Sequence, residues 1–340
     1  MNTAKVAING FGRIGRAFFK AAAGNPAFEV VAINDLGDIK NLAYLLTYDT
    51  AYGRSPFVVE AGEDALIVDG KRIAITHERD PKLLPWKDMD IDVVVESTGM
   101  FTSYEKAGAH LEAGAKRVVI SAPVKDEAAH GKTILMGVNE EETATCTISS
   151  NASCTTNAAS PLIGILKESI GIEKALLSTV HAYTASQSIV DGPKKDFREG
   201  RAAAQNIIPT STGAAIATTK AHPDLAEKFD GIAMRVPVPV GSIVDITFIA
   251  SRATTAEEVN EVLTKAAATD RWKDIFAVTT DEIVSSDIIG APYAAIADLA
   301  FTRVVDGNLV KVLAWYDNET GYTHTLIRHV EKMAQHLKSA

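Results

Sequence analysis

Through the first half of the chain, short uninterrupted apolar runs alternate with longer stretches whose apolar residues recur every three or four positions. Lys5–Asn9, Phe28–Asn34, Asp92–Ser97, Arg117–Ser121 and Thr133–Val138 are such runs, rich in Val and Ile with little polar alternation. Strands buried on both faces have this texture, because a parallel sheet covered by helices leaves neither face to water. Helical spacing falls between them, as at Ile14–Ala23 and Tyr104–Ala113. The alternation predicts a parallel α/β sheet.

The texture changes after about residue 150. Lys174–Thr184, Gly231–Val238, Asp245–Ser251 and Leu309–Tyr316 read as longer strands, with helices at Ser160–Ser169, Gly213–Thr219 and Thr255–Ala268. This predicts an α+β domain with a mixed or antiparallel sheet. In Glu319–Leu337 the apolar residues Leu326, Ile327, Val330, Met333 and Leu337 share one face, which predicts a closing amphipathic helix. The expected fold is an α/β domain, residues 1–153, completed by the C-terminal helix 319–340, plus an α+β domain, residues 154–318; the run Gly10-Phe11-Gly12-Arg13-Ile14-Gly15 after the first strand makes the former a dinucleotide-binding (Rossmann) domain, and Cys154 makes the latter the candidate catalytic domain. A chain of 340 residues suits two domains of this size.

The first strand runs directly into Gly10-Phe11-Gly12-Arg13-Ile14-Gly15, and a helix follows. In that setting the first glycine permits a tight turn, the second lets backbone approach a pyrophosphate, and the third lets helix and sheet pack closely. Phosphates would rest over the helix N-terminus. The second strand ends in Asn34-Asp35, and Asp35 stands where a carboxylate binds a ribose diol and repels a 2′-phosphate. NAD is the expected cofactor. A glycine-rich turn beside an unrelated acid would explain neither the spacing nor the strand endings.

Two cysteines, Cys146 and Cys154, have neither zinc-like nor CxxC spacing, so free thiols and a cytoplasmic setting are expected, with no metal site. Cys154 follows the strand Cys146–Ser150 and leads into a helical run containing Pro161. A thiol at a helix N-terminus is expected to have a lowered pKa. The competing reading, a buried structural cysteine, is the commoner fate of a single Cys and stays equally open from the residues alone, although the Ser, Thr and Asn neighbours are polar donors. Of the histidines His77, His110, His130, His181, His222, His324, His329 and His336, most read as solvated surface groups. His181 ends a strand-like run and could serve as the base; spacing alone leaves a satisfied core histidine equally open.

The formal net charge of −9, with scattered basic residues, makes nucleic acid and anionic membranes poor partners. No stretch reaches the roughly 18–20 apolar residues of a membrane span, and the N-terminus lacks a signal-peptide pattern.

The motifs INGFGRIGR, SNASCTTN, HAYTASQ, NIIPTSTGAA, MRVPVP and WYDNETGY occur together in order. On them the chain resembles the phosphorylating glyceraldehyde-3-phosphate dehydrogenase family, of the NAD-dependent bacterial type, from about residue 4 to the last helix. The resemblance implies oxidation of glyceraldehyde 3-phosphate to 1,3-bisphosphoglycerate with inorganic phosphate, through a hemithioacetal and thioester on Cys154, in glycolysis or gluconeogenesis. It makes Cys154 the nucleophile and His181 the base. Thr184 and Arg235 would hold the substrate phosphate. Ser153, Thr155, Thr212 and Gly213 would surround inorganic phosphate, near enough to Arg235 to share it. Gly10, Phe11, Gly12, Arg13, Ile14, Gly15, Asn34, Asp35, Arg79, Thr98, Gly99 and Ser121 would line the cofactor, with Asn318 on the carboxamide and Tyr322 nearby. The loop 183–203 would reach a neighbouring subunit's cofactor in a homotetramer. Two departures stand out: Ala158 replaces a cysteine common in the family, and the loop at Gly192-Pro193-Lys194 is about one residue short. Erythrose-4-phosphate dehydrogenase is the nearest alternative, though Tyr183-Thr184 and Ser211-Thr212-Gly213 fit the triose enzyme better. An aspartate-semialdehyde-type enzyme would lack Asp35, and a purely binding descendant would have no need of Cys154 and His181.

Overall fold

Ala4, Val6, Ala7 and Ile8 are buried in a strand, Ala4–Asn9, whose two neighbours both run parallel to it. That double coverage is why the run lacks polar alternation. The computed structural model describes residues 3–337. The chain forms two compact units: one holds residues up to Ile134, Asn139–Ala152 and Leu326 onward, the other Leu135–Val138 and Ser153–Thr325.

In the first unit, among the described residues, nine strands form one sheet. Their order is Gly131–Thr133, Ile148–Ser150, Arg117–Ile120, Val93–Glu96, Ala4–Asn9, Phe28–Asn34, Lys71–Thr76, Ala65–Val68 and Val59–Ala61. The first seven run parallel; the last two add an antiparallel edge. Chain order reverses at Ala4–Asn9, so Gly10 emerges at the topological switch point, where open α/β sheets bind ligands.

Three local expectations are corrected. The strand expected over Thr133–Val138 is Gly131–Thr133; beyond it Val138 N–H closes a 3.0 Å turn on Leu135 O, and Gly137 has φ +77°. The helix expected over Tyr104–Ala113 is two short segments, Tyr104–Ala107 and Ala109–Glu112, joined by Gly108. The strands between residues 59 and 76 were not anticipated; Val59–Ala61 and Ala65–Val68 are short, and Lys71–Thr76 opens on two exposed cations.

The second unit has a mixed sheet in the order Ile208–Ser211, Phe229–Val236, Ile172–Ala182, Ser242–Ala250, Leu309–Tyr316, Ala295–Asp298 and Phe276–Thr279. Phe229–Val236 is parallel to Ile172–Ala182, and Phe276–Thr279 to Ala295–Asp298; the other neighbours in this order are antiparallel. Burial alternates along Ser242–Ala250, as on a sheet with one covered face. The helix Cys154–Ser169 is buried from Thr155 to Leu166. It therefore starts its reactive end from the core, where fully burying Leu162, Ile163 and Leu166 stabilises by about 1.5–3 kcal/mol each.

Candidate active site

In the first unit Gly10 takes φ +94°, and a Cβ there would meet Thr98 N at 2.6 Å. A Cβ on Gly15 would strike the carbonyl oxygen of Gly10. Only backbone can line this turn. At Gly12, by contrast, a Cβ would meet nothing, and no side chain caps the helix Arg13–Ala21 that starts there. An open, uncapped helix N-terminus beneath bare backbone suits a pyrophosphate. Asp35 accepts Phe11 N–H at 2.7 Å on one oxygen and Gly37 N–H at 2.8 Å on the other, and it is half-buried. Its carboxylate thus faces the glycine turn, where a ribose diol would have to sit. These residues fit a dinucleotide. Arg13 pairs with Asp49 at 3.1 Å and Arg79 is exposed. Ser121 N–H continues the sheet onto Glu96 O at 2.9 Å.

The strand Ile148–Ser150 leaves this unit through a left-handed residue. Ala152 has φ +54°, a conformation costing about 1–2 kcal/mol for a non-glycine residue. Ser150 Oγ donates to Ala122 O at 2.6 Å and accepts Ala152 N–H at 3.0 Å, Asn151 N–H reaches Ile120 O at 2.9 Å, and His329 Nδ1 lies 3.1 Å from Asn151 Oδ1. Together these contacts hold the bend.

In the second unit Ser153 caps the next helix, accepting Thr156 N–H at 3.0 Å, and Cys154 is the first helical residue. Cys154 Sγ lies 3.3 Å from His181 Nε2. His181 is buried on Ile172–Ala182, in register with Arg235 on the neighbouring parallel strand. Arg235 Nη1 is 2.5 Å from His181 Nδ1 and 3.2 Å from Ala182 O, while Nδ1 is also 2.6 Å from Ala182 O. Arg235 has no acidic partner among the described residues, and its Nε is buried without a hydrogen bond. An uncompensated guanidinium beside a thiol is an anion site.

Burial pushes the Cys154 thiol above its ordinary pKa; the Arg235 charge and Thr155 donors oppose this without overcoming it. The lowered pKa expected from the helix terminus is thereby corrected: desolvation outweighs the dipole in the resting site. Burial first and Arg235 second hold His181 down to about 3, against the pull of Ala182 O. Burial thus favours the neutral form of both groups.

Tyr316, which sequence reasoning did not single out, is fully buried with its ring edge-on to His181 at 5.8 Å. Thr179 Oγ1 donates to Ile243 O at 3.1 Å, so it accepts from Tyr316 Oη at 2.7 Å, which in turn accepts from Thr155 Oγ1 at 3.0 Å. The Thr155 hydroxyl proton is thus directed to Tyr316 Oη. Thr184 Oγ1 contacts Ser186 Oγ at 3.0 Å. Ile208 is the residue paired with Arg235, and Thr212 and Gly213 lie past the other end of that strand, about 13 Å further along at about 3.3 Å per residue. Asn318 Oδ1 accepts Gly241 N–H and Ser242 Oγ–H, each at 3.1 Å, which leaves Nδ2 as the donor it can offer a ligand; Tyr322 is buried. His110, His222 and His329, read from the sequence as solvated, are buried, and only the helical face shared by His329 and Leu326 hinted at it. Cys146 is buried and free, and burial pushes its thiol up to about 11.

Residues 4–104 match the family described as glyceraldehyde 3-phosphate dehydrogenase, NAD binding domain, and residues 153–318 match its C-terminal domain. The chain is 50% identical over 328 residues to a glyceraldehyde-3-phosphate dehydrogenase of Streptomyces coelicolor, covering 96% of this chain and 97% of the relative. It is 49% identical over 325 residues to one of Geobacillus stearothermophilus, covering 95% and 96%.

Proposed function

The chain belongs to the glyceraldehyde-3-phosphate dehydrogenase family, and from that premise we propose Cys154 as its nucleophile, His181 as its base and Arg235 as its substrate anchor. It is an NAD-dependent oxidoreductase that converts glyceraldehyde 3-phosphate and inorganic phosphate to 1,3-bisphosphoglycerate. The names of its relatives favour the triose over erythrose 4-phosphate. The unit that holds Gly10–Gly15 takes the cofactor role and the one that holds Cys154 the chemistry.

The Cys154 sulfur attacks the aldehyde carbon, and its proton passes to His181 Nε2. For Nε2 to accept, the ring proton must sit on Nδ1, donating to Ala182 O. Arg235 competes for that same Nδ1. A substrate phosphate that draws the guanidinium to itself releases His181 into its basic tautomer, so the base is ready when substrate is bound. NAD, when bound, supplies the hydride acceptor that turns the Cys154 adduct into a thioester. Inorganic phosphate attacks the thioester carbonyl, the carbon–sulfur bond breaks, and Cys154 is regenerated. Ser153, Thr155, Thr184, Thr212 and Gly213 are the phosphate-binding groups of this reading, with Gly10 to Gly15, Asn34, Asp35, Arg79, Thr98, Gly99, Ser121, Asn318 and Tyr322 serving the cofactor.

A homotetramer is supported by the apolar side chains that this chain leaves to solvent: Ile189, Val190 and Phe197 in the loop 183–203 are 89%, 73% and 88% exposed, and Leu176 and Ile232 are exposed on the sheet. No helix among the described residues is long and apolar enough to cross a membrane. Two free thiols favour the cytoplasm.

The observation that carries the assignment is the contact of Cys154 with His181 beside an unpaired Arg235. NADH formation from glyceraldehyde 3-phosphate, followed by absorbance with and without inorganic phosphate, tests it. Sustained turnover should require phosphate, and Cys154→Ser should bind NAD yet lose at least about a thousandfold in kcat. Persistent turnover by that variant would remove Cys154 from the mechanism.

A further inference from the structure

Beneath the glycine turn lies a buried polar chain that the proposed chemistry does not use. Glu96 closes the strand Val93–Glu96 and is 2% exposed. Trp86 Nε1, which can only donate, lies 3.0 Å from His110 Nδ1. The His110 ring proton is therefore on Nε2, 3.0 Å from Glu96 Oε2. Asn9 Nδ2 donates to the same oxygen at 2.6 Å. The other oxygen accepts Thr98 N–H at 2.8 Å and Thr98 Oγ–H at 2.5 Å. Four donors fill the four lone pairs, so the site is built for a carboxylate.

The chain continues with a fixed direction. Asn9 Oδ1 accepts Asn34 Nδ2–H at 2.7 Å, and Asn34 Oδ1 accepts Glu78 N–H at 2.8 Å and Thr76 Oγ–H at 2.9 Å. Trp86, His110, Asn9 and Asn34 are all buried. Each branch ends at a loop that borders the dinucleotide turn: Gly10 follows Asn9, Asp35 follows Asn34, Arg79 follows Glu78, and Thr98 hangs on Glu96 itself. Thr98 N is also the atom a Gly10 side chain would strike.

We propose that Glu96 is a positioning residue for NAD: the buried acceptor that sets the turn at Thr98 against the turn at Gly10, while touching no cofactor atom. This rests on the reading that the turn Gly10–Gly15 holds the dinucleotide. Because both oxygens must accept, neither shape nor volume can replace the charge. In Glu96→Gln the carboxamide offers one acceptor oxygen and an N–H₂ group. Whichever way it flips, that group faces donors, Asn9 and His110 on one side or Thr98 N–H on the other. Trp86 prevents His110 from changing tautomer to help.

Titration calorimetry of NAD onto the whole protein reads this without turnover. Glu96→Gln should raise the NAD dissociation constant about tenfold or more. At saturating NAD its kcat should stay within about threefold of the parent, and alkylation of Cys154 should keep its rate. His110→Gln, which keeps a donor toward Glu96, should bind NAD within about twofold of the parent, and His110→Leu should not; this pair serves if Glu96→Gln does not fold. Unchanged NAD affinity in folded Glu96→Gln or in His110→Leu would overturn the proposal, as would a loss confined to kcat. A parent protein that bound no NAD would instead sink the reading of the glycine turn.

Discussion

His181 and Arg235 share one register position on adjacent parallel strands, which brings Arg235 Nη1 to 2.5 Å from His181 Nδ1 although 54 residues separate them. Parallel partners point their side chains to the same face, so the strand beside the one that carries the imidazole delivers the cation. Arg235 disfavours a second positive charge on His181 and favours a negative one on Cys154. Arg235→Gln should therefore raise the pH midpoint for alkylation of Cys154 by iodoacetamide. KM for glyceraldehyde 3-phosphate should rise about tenfold or more as the phosphate loses its anchor. A midpoint that fell or stayed put would mean that Arg235 does not act on the thiol.

Gly10→Ala tests the backbone turn. It places a Cβ 2.6 Å from Thr98 N at φ +94°, and the obstacle is backbone rather than a side chain that can rotate away. The expected cost is about 2 kcal/mol or more, seen as a fall of several degrees in Tm together with weaker NAD binding. Gly12→Ala, where a Cβ meets nothing, should keep Tm within about 1–2 °C and act only on NAD.

His329 makes acid stability measurable. It is fully buried with Nε2 unpaired, and burial lowers it to about 3 from 6.5. Between those values the unfolded chain binds a proton that the native state does not. Stability is thus lost as pH falls below about 6.5, by up to about 1.4 kcal/mol per pH unit, until the native group itself titrates. His181 adds in the same window, for the same reason. His329→Leu should flatten the dependence of urea stability on pH between 7 and 5, leaving the shares of His181, His222 and His336, which burial also lowers. At pH 7 it should cost about 1 kcal/mol from the lost Asn151 contact. An unaltered slope would show that His329 is protonated in the native protein.

On the proposed reading, Asp35 sets two things at once. Its two oxygens take Phe11 N–H and Gly37 N–H, and its charge opposes a 2′-phosphate. Asn in its place has one acceptor oxygen for two donors. Asp35→Asn should weaken NAD and lower the ratio of kcat/KM for NAD over NADP by about tenfold or more. A ratio that held would move cofactor choice to other residues.

Much of this was legible along the chain because the signals are local. Glycine spacing between a strand and a helix depends on a few consecutive residues, and so does Ser153 capping the helix that Cys154 begins. The Val-rich runs announce strands covered on both sides. The unforeseen strands from residue 59 to 76 give a weaker signal: Val59–Ala61 is a three-residue edge strand, Ala65–Val68 is only four residues long, and exposed Lys71 and Arg72 open Lys71–Thr76.

By itself, then, the sequence determined the element types, the turn at Gly10–Gly15, the acid at Asp35 and the identity of the candidate nucleophile. Only the tertiary structure decided which distant groups meet: Arg235 on His181, Tyr316 between Thr155 and Thr179, Trp86 and His110 on Glu96. It also reversed the direction expected for the Cys154 thiol. The reason is physical. Periodicity and caps are properties of neighbours in the chain, whereas strand register and desolvation depend on what packs across tens of residues, and an ionisable group takes its energy from that packing.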